Sequence, residues 1–197
     1  MVNDQKNRKQ RATVRLPFSR TIDDWVASRK NRKALESSGW HFSAFREMLV
    51  LKESPDWQLF YLPICVKDLV ILDVGAGEGE TARFFLENGA KKVICIEPSH
   101  EAFKLLKENS VTHHQLVPIN KFFELSDLSD YLFDFLKMDI EGYEEILLQT
   151  KLSCPAVVEV HGLQLRDKFK KAGWRIKYRT LVASRGYSCV SYAYWNC

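Results

Sequence analysis

Two short stretches of the chain, KMDIEGYEE and VEVHG, concentrate ionisable side chains directly after apolar runs. Carboxylate, imidazole and amino groups are the side chains that move protons in active sites. Charged groups at the exit of a strand are costly to bury, which favours positions that face a cleft. The candidate catalytic residues are therefore Lys137, Asp139, Glu141, Glu159 and His161.

Three roles are open for these residues. A general base would come from Asp139 or His161, and a neutral imidazole suits that role near physiological pH. The three carboxylates and the histidine also suit a divalent cation, but their spacing is not diagnostic and no metal is assigned. The plain structural alternative is that Lys137 and Glu159 pair inside the sheet edge, with His161 as a satisfied structural residue.

A second candidate site is the segment ILDVGAGEG at residues 71–79, in which three glycines follow an apolar run and an aspartate. Glycine costs backbone entropy, so three in one loop indicate a task that side chains would prevent. In an open α/β sheet, the loop after the first strand lets a ligand approach the backbone, and the next helix presents free N–H groups. Gly75, Gly77 and Gly79 therefore predict a bound small molecule.

The spacing of these glycines separates ligand classes. The dinucleotide fingerprint G-x-G-x-x-G requires a glycine where this chain has Glu80. Glu78 and Glu80 place negative charge where a pyrophosphate would lie, so a ligand with a cationic centre fits better. Glu97 ends the next apolar run, 22 residues after Gly75, where a carboxylate can accept hydrogen bonds from ribose hydroxyls.

Apolar runs and helical segments alternate from about residue 67, the pattern of a parallel sheet with helices on both faces. The last two runs leave no room for a helix between them and predict a hairpin that turns at Arg185-Gly186. The predicted fold class is α/β, with a Rossmann-like, seven-stranded, mostly parallel sheet, an antiparallel C-terminal hairpin and an N-terminal helical addition. The predicted domains are a basic tail and helical extension at 1–66 and the sheet domain at 67–197.

The N-terminal extension is expected to contain two helices. One begins at a capping box, Thr21-Ile-Asp-Asp24, and the other lies near residues 42–52. Pro55 and Pro63 mark the connection to the sheet domain. The second helix has Phe45, Met48 and Leu49 on one face, and the extension is expected to cover the acceptor pocket.

The stretch Asp73-Val-Gly-Ala-Gly-Glu-Gly79, followed by Ile96-Glu97-Pro98, resembles class I S-adenosylmethionine-dependent methyltransferases over roughly residues 67–197. The resemblance implies S-adenosyl-L-methionine as the cofactor, with Glu97 on the ribose hydroxyls and Asn120 near the adenine. The cofactor-binding residues that it implies are Asp73, Gly75, Ala76, Gly77, Gly79, Thr81, Glu97, Pro98, Asn120 and Asp139.

The pattern KxDIEGxE with a following ExH resembles, more narrowly, the FkbM-like methyltransferase family. That family is associated largely with O-methylation of sugars, polyketides and other small or glycan-type molecules, which implies a small-molecule acceptor. The sequence lacks the proline-rich NPPY-like motif that is typical of methyltransferases acting on nucleobase amino groups. The alternatives are ribose 2′-O-methylation of RNA and a non-catalytic module that only binds the cofactor.

The composition of the 197 residues bounds the class of protein. Hydrophobic residues make up 46% and charged residues 27%, which is ordinary for a soluble globular chain. No run approaches about 20 apolar residues, and the basic N-terminus lacks the apolar core of a signal peptide. Five scattered cysteines without a CxxC pair favour a reducing compartment. We expect a cytoplasmic protein without a membrane partner, and the sequence leaves its oligomeric state undefined.

Charge is distributed unevenly along the chain. Residues 1–33 hold ten Lys and Arg against three Asp and Glu, residues 34–165 hold eleven against twenty-one, and residues 166–197 hold eight against one. Basic ends around an acidic middle fit an anionic partner such as tRNA or rRNA. Because solubility and a loosely attached tail explain the same pattern, RNA binding through the termini is the alternative and not the main prediction.

Overall fold

The computed structural model describes Lys33, Leu35 and residues 37–183 and 186–197. The helix expected at Thr21-Ile-Asp-Asp24, the basic tail and Arg185 of the expected hairpin turn lie outside the described residues. Within them the α-helices are α1 Ala44–Phe60, α2 Glu80–Glu87, α3 His100–Thr112, the single turn α4 Asp127–Asp130 and α5 Leu163–Lys171. The strands are β1 Val70–Val74, β2 Lys92–Ile96, β3 Leu116–Ile119, β4 Phe135–Met138, β5 Ala156–Val160, β6 Arg175–Ala183 and β7 Gly186–Trp195, and a 3-10 helix spans Glu144–Gln149.

One seven-stranded sheet organises the fold, in the order β3-β2-β1-β4-β5-β7-β6. Strands β1 to β5 pair in parallel, whereas β7 pairs antiparallel with both β5 and β6. The predicted fold class is therefore confirmed, including the antiparallel hairpin. Strand order reverses at β1, which has β2 on one side and β4 on the other. Ligands of open α/β sheets bind beyond the carboxyl ends of the strands at such a point.

Each face of the sheet is covered, so the strands alternate between two hydrophobic cores. Ile71 faces the core that also contains residues of α1 and α2, while Leu72 faces the core that contains residues of α5. Because side chains alternate along a strand, Asp73 lies on the same face as Ile71. The register of β1 and β4 places Asp73 opposite Lys137. Two charged side chains are therefore brought together inside the sheet.

Helix α1 differs in length and orientation from the prediction. It begins after Ser43, whose side chain accepts the N–H of Arg46, and it continues through Pro55 to Phe60. The expected end of the helix before Pro55 is wrong, because buried Trp57 extends its packed face. Phe45 is also not on the buried face, since 61% of it is exposed. The described part of the extension shares one core with the sheet, and the domain division at residue 66 stays a prediction.

Two observations bear on the expected compartment. No helix within residues 37–183 or 186–197 has the length and apolar character that a bilayer span requires. Cys65, Cys95, Cys154 and Cys197 are free thiols, and of these Cys95 is fully buried. The cytoplasmic location stays a prediction.

Candidate active site

A cavity of about 710 Å³ opens at the carboxyl ends of the central strands. The segments after β1, β2, β3 and β4 line it, together with one side chain from α1. Its polar lining combines the glycine loop with residues of the charged stretch after β4, so the two predicted sites are parts of one cavity. The polar, glycine and aromatic residues of the lining, with one proline, are Arg46, Gly75, Gly77, Glu97, Pro98, Phe122, Phe123, Glu124, Asp139, Glu141 and Tyr143.

The glycine loop follows β1 in a conformation that side chains would block. Gly75 has a φ of +74°, and a Cβ atom added there would lie 1.8 Å from the carbonyl oxygen of Asp139. Gly77 has a φ of +57°, and its N–H donates to Glu97 Oε2 at 2.8 Å. Left-handed backbone and close approach of neighbouring chain both require glycine. The loop therefore keeps its backbone against the cavity.

Two hydrogen bonds, one to each carboxylate oxygen, hold the side chain of Glu97 at the cavity wall. Its Oε1 accepts the N–H of Ser99 at 2.8 Å, and its Oε2 accepts the N–H of Gly77 at the same distance. An ionised carboxylate has about four acceptor positions, so each oxygen retains capacity for a ligand hydroxyl. The geometry of Glu97 and its neighbour Pro98, which also lines the cavity, is compatible with the predicted ribose contact.

Asn120, the predicted adenine contact, lies outside the lining of the cavity. Its amide donates to the carbonyl oxygens of Glu97 at 2.8 Å and Pro98 at 3.3 Å, and so fixes the segment after β2. The lining after β3 comes instead from Phe122 and Phe123, which were not predicted. Phe122 is 78% exposed, so its ring is available to a flat ligand. The adenine contact of Asn120 stays a prediction.

Four further residues that were predicted to bind the cofactor lie outside the cavity lining and stabilise the glycine loop. The hydroxyl of Thr81 donates to Asp73 Oδ2 at 2.6 Å, and Asp73 Oδ1 lies 3.0 Å from Lys137 Nζ. Ala76 and Gly79 are within the loop but outside the cavity lining, and Gly79 approaches the core side chain of Leu106. These positions make Asp73, Ala76, Gly79 and Thr81 part of the framework of the loop.

Lys137 does not face the cleft as expected. Only 1% of its side chain is exposed, and its ammonium group contacts Asp73 and donates to Gly75 O at 3.1 Å. Burial opposes its charge, but Asp73 and Asp139 raise the pKa of Lys137 above its usual value. A lysine that stays protonated is not a base. The expectation was wrong because the strand register pairs Lys137 with Asp73 on one buried face.

Replacing Lys137 with Met should destabilise the protein by about 3–5 kcal/mol, because it leaves Asp73 buried without its counter-charge. Urea denaturation followed by circular dichroism measures this change. The control is Lys168→Met, which removes an exposed pair with Glu145 and should cost less than about 1 kcal/mol. Equal stability losses in the two variants would contradict the structural role of the buried pair.

His161 lies in a group of acidic side chains beside the cavity. Its Nδ1 is 2.8 Å from Glu144 Oε1, and its Nε2 is 3.7 Å from Asp139 Oδ1 and 3.5 Å from Glu141 Oε2. Glu159 Oε1 is 3.9 Å from the same Nε2. The predicted convergence of Asp139, Glu141, Glu159 and His161 is therefore present. We name these four residues and Glu144 the carboxylate–histidine cluster.

Glu144 is the member of this cluster that the sequence analysis missed. It is fully buried and accepts the N–H of Gly142 at 2.9 Å in addition to its contact with His161. The chain reaches it through a turn with left-handed residues, at Glu141 with φ of 56° and Gly142 with φ of 107°. Gly142 in the motif was the available signal, since it permits a sharp turn that returns the chain to the strand ends.

The protonation of His161 differs from the expected neutral base. The hydrogen bond to Glu144, followed by the charge of Asp139, raises the pKa of His161 to about 9. In the protein without bound ligands, the imidazole of His161 therefore carries a second proton at neutral pH. His161 is also absent from the lining of the cavity. Asp139 does line it, and is the better placed of the two predicted bases.

Glu159 contacts Tyr61, the residue that directly follows α1, and does not line the cavity. Its Oε2 accepts the hydroxyl of Tyr61 at 2.6 Å, and burial followed by the charge of Asp139 raises the pKa of Glu159 to about 7. Burial also raises the pKa of Tyr61 well above its usual value, so Tyr61 remains the donor. Glu159 thus connects the cluster to the N-terminal helix.

The charge of the cavity is strongly negative. Four carboxylates line the cavity, and the positive group among its described lining residues is the guanidinium of Arg46 from α1. Arg46 was not predicted from the sequence as a site residue. Arg46 Nε also lies 3.1 Å from Glu80 Oε1, so part of its charge is committed to the start of α2. A lining of this kind favours a ligand with a positive centre and repels phosphates. The four lining carboxylates are Glu97, Glu124, Asp139 and Glu141.

Similarity to known proteins is confined to structure. Precorrin 8w decarboxylase of Methanobacterium thermoautotrophicum has a TM-score of 0.52 at 18% identity, covering 73% of this chain and 89% of that chain. The C-terminal domain of precorrin-6Y C5,15-methyltransferase from Rhodobacter capsulatus has a TM-score of 0.52 at 13% identity, covering 74% and 87%. Aeropyrum pernix fibrillarin, in complex with natively bound S-adenosyl-L-methionine, has a TM-score of 0.50 at 16% identity, covering 67% and 69%.

No family model and no curated protein matches the chain. At identities this low the likeness to solved structures establishes the fold and leaves the activity open. The chain therefore has the fold of class I S-adenosylmethionine-dependent methyltransferases.

Proposed function

We propose that this chain is an S-adenosylmethionine-dependent methyltransferase that acts on a hydroxyl group of a small-molecule or sugar-type acceptor. One observation carries the proposal: a single cavity joins the glycine loop, the Glu97 carboxylate and the Asp139 carboxylate. The groups proposed to bind the cofactor and the group proposed to accept a proton thus line the same cavity, where a cofactor and an acceptor molecule could bind side by side. The FkbM-like motif supports the same activity and the O-methylation of a small acceptor.

The residues present fit the proposed cofactor. Gly75 and Gly77 both line the cavity and have left-handed backbone that residues with a Cβ atom rarely adopt, and Glu97 offers acceptor positions to ribose hydroxyls. The negative lining favours the sulfonium of S-adenosyl-L-methionine and disfavours the pyrophosphate of a dinucleotide. Gly75, Gly77 and Glu97 would hold the cofactor, with Phe122 as the flat apolar surface for its base.

The chain has a simple task in this reaction. When bound, S-adenosyl-L-methionine supplies a methyl group on a sulfonium that is already activated for displacement, so the protein mainly positions the acceptor and removes its proton. The carboxylate of Asp139 would take the hydroxyl proton from the acceptor inside the cavity. Glu144 would orient His161, and the protonated imidazole would keep the cluster of negative charges together.

Replacing Glu97 with Ala should weaken cofactor binding by about 1–3 kcal/mol, the range for hydrogen bonds to a charged group. Titration calorimetry with S-adenosylhomocysteine measures the loss, and the melting temperature reports on the fold. Glu101→Ala, an exposed carboxylate in the first turn of α3, is the control and should keep the affinity of the wild type. An unchanged affinity in Glu97→Ala would exclude the ribose role.

Labelled-methyl transfer tests the acceptor class. We expect label from S-adenosyl-L-methionine to reach small hydroxyl-bearing molecules, in a screen that includes sugars, phenols, polyketides and RNA, at low and high salt. Transfer to RNA with a steep loss at high salt would support the RNA alternative, in which the basic termini bind phosphates. Cofactor binding without transfer to any fraction of a cell extract would favour the non-catalytic module.

A further inference from the structure

The carboxylate–histidine cluster has more negative charge than its own cation can balance. Among the described residues, four carboxyl groups surround one imidazole, those of Asp139, Glu141, Glu144 and Glu159. The pKa of Glu159 is raised to about 7, so this group carries only part of a negative charge at neutral pH. The nearby ammonium of Lys137 is committed to Asp73 and the Gly75 carbonyl. Glu144 is fully buried and Asp139 and Glu159 are partly buried, so solvent screens their charge incompletely and an additional cation is favoured.

Two buried oxygens of the cluster are unpartnered among the described residues. Glu144 is fully buried, and its Oε2 has no hydrogen-bond partner although its Oε1 contacts His161 and the N–H of Gly142. Asp139 Oδ1 is also buried without a hydrogen-bond partner, 3.7 Å from the imidazole. Buried acceptors in proteins nearly always have a partner, so these two oxygens are available to a further donor or cation.

The spacing of three side chains of the cluster suits coordination. Asp139, Glu144 and His161 each offer a ligand atom, and the three atoms lie within 4.8 Å of one another. Ligands at about 2.1 Å from one cation are separated by up to about 4.2 Å, so only a small contraction is required. We infer that Asp139, Glu144 and His161 bind a divalent cation such as Mn²⁺, for which carboxylate oxygens are suitable ligands. Coordination by the imidazole of His161 releases its proton to solvent, because a nitrogen ligand must be unprotonated.

The position of this site gives the cation a function in the proposed reaction. Asp139 belongs both to the cluster and to the lining of the cavity, so the cation would adjoin an acceptor hydroxyl placed there. A cation at that position lowers the pKa of the hydroxyl and eases the loss of its proton. This consequence rests on the proposed function, whereas the binding of the cation does not.

The test uses the full chain, freed of metal by EDTA and dialysis, and Mn²⁺ as the probe. Electron paramagnetic resonance of free Mn²⁺ and titration calorimetry should show one bound ion per chain. Glu144→Gln should weaken binding at least about tenfold, as loss of a ligand exceeds the 10–100-fold effects of outer partners. The matched control is Glu145→Gln, whose side chain is exposed and pairs with Lys168, and it should bind like the wild type.

Several outcomes decide the inference. Loss of Mn²⁺ binding in Glu144→Gln with a retained melting temperature supports the site, as does displacement of Mn²⁺ by Mg²⁺. If Glu144→Gln does not fold, Asp139→Asn decides in the same assay, because Asp139 Oδ1 has no hydrogen bond to lose within the described part of the chain. Absence of Mn²⁺ binding, or equal affinity in the variants and the wild type, overturns the inference. Binding of S-adenosylhomocysteine in EDTA, measured in parallel, reports separately on the proposed function.

Discussion

Gly75→Ala is expected to weaken cofactor binding by at least about 100-fold, equivalent to about 2.8 kcal/mol at 1.4 kcal/mol per tenfold. A Cβ atom at this position would lie 1.8 Å from the carbonyl oxygen of Asp139, and backbone atoms cannot move aside as the end of a side chain can. The left-handed φ of +74° adds strain for any residue with a Cβ atom. Both effects would shift the loop, which lines the cavity.

A control substitution at a second glycine distinguishes the steric clash from the backbone strain that Gly75→Ala would cause. Gly173 also has a left-handed φ, of +92°, but a Cβ atom there would have no neighbour within 4 Å. Gly173→Ala should therefore lose about 1–2 kcal/mol of stability and keep its affinity for S-adenosylhomocysteine. Calorimetry on both variants, with melting temperatures from the same samples, makes the comparison. Wild-type affinity in Gly75→Ala would mean that the loop does not contact the ligand.

Asp139→Asn is expected to lower the rate of methyl transfer by about 10²–10⁴-fold, the contribution of a general base. Asp139 is the only predicted base that lines the cavity among the described residues, and an amide cannot take the acceptor proton. The fold should survive, because Asp139 Oδ1 makes no hydrogen bond with the described residues that the substitution would break. Much of the cofactor affinity should also remain, since Gly77 and Glu97 lie on other strand ends.

Rates with the acceptor identified by labelled-methyl transfer, measured under saturating cofactor, test this prediction. Asp130→Asn changes an exposed aspartate at the end of α4 and serves as the control, with the wild-type rate expected. A cation at the cluster would lose a ligand in the same variant, so Mn²⁺ binding is measured alongside. Full turnover in Asp139→Asn would exclude both its role as base and its role in holding an essential cation.

The parts of the site that sequence could predict are those set by local chain geometry. The glycines after β1 and the carboxylate after β2 are fixed by how a strand leaves a parallel sheet, and both line the cavity as expected. The alternation of strands and helices gave the sheet and its hairpin for the same reason. Convergence of the residues after β4 and β5 was predictable because these strands are neighbours.

The parts that sequence could not predict depend on contacts between distant segments. Arg46 reaches the cavity because α1 packs on the glycine loop, where the Ser43 N–H donates to Glu78 at 2.6 Å. Lys137 turns inward because the register sets it opposite Asp73. Glu144 returns to His161 through a left-handed turn whose direction the sequence does not specify. In each case the partner is remote in sequence, and no periodic pattern indicates it.

The central claim is that the cavity binds S-adenosyl-L-methionine, and titration calorimetry tests it most directly. The full chain is titrated separately with S-adenosyl-L-methionine, S-adenosylhomocysteine and NAD. The glycine loop, the Glu97 carboxylate and the acidic lining predict one bound equivalent of each sulfur compound and no heat of binding with NAD. Absence of binding for both sulfur compounds, or binding of NAD in their place, would contradict the account.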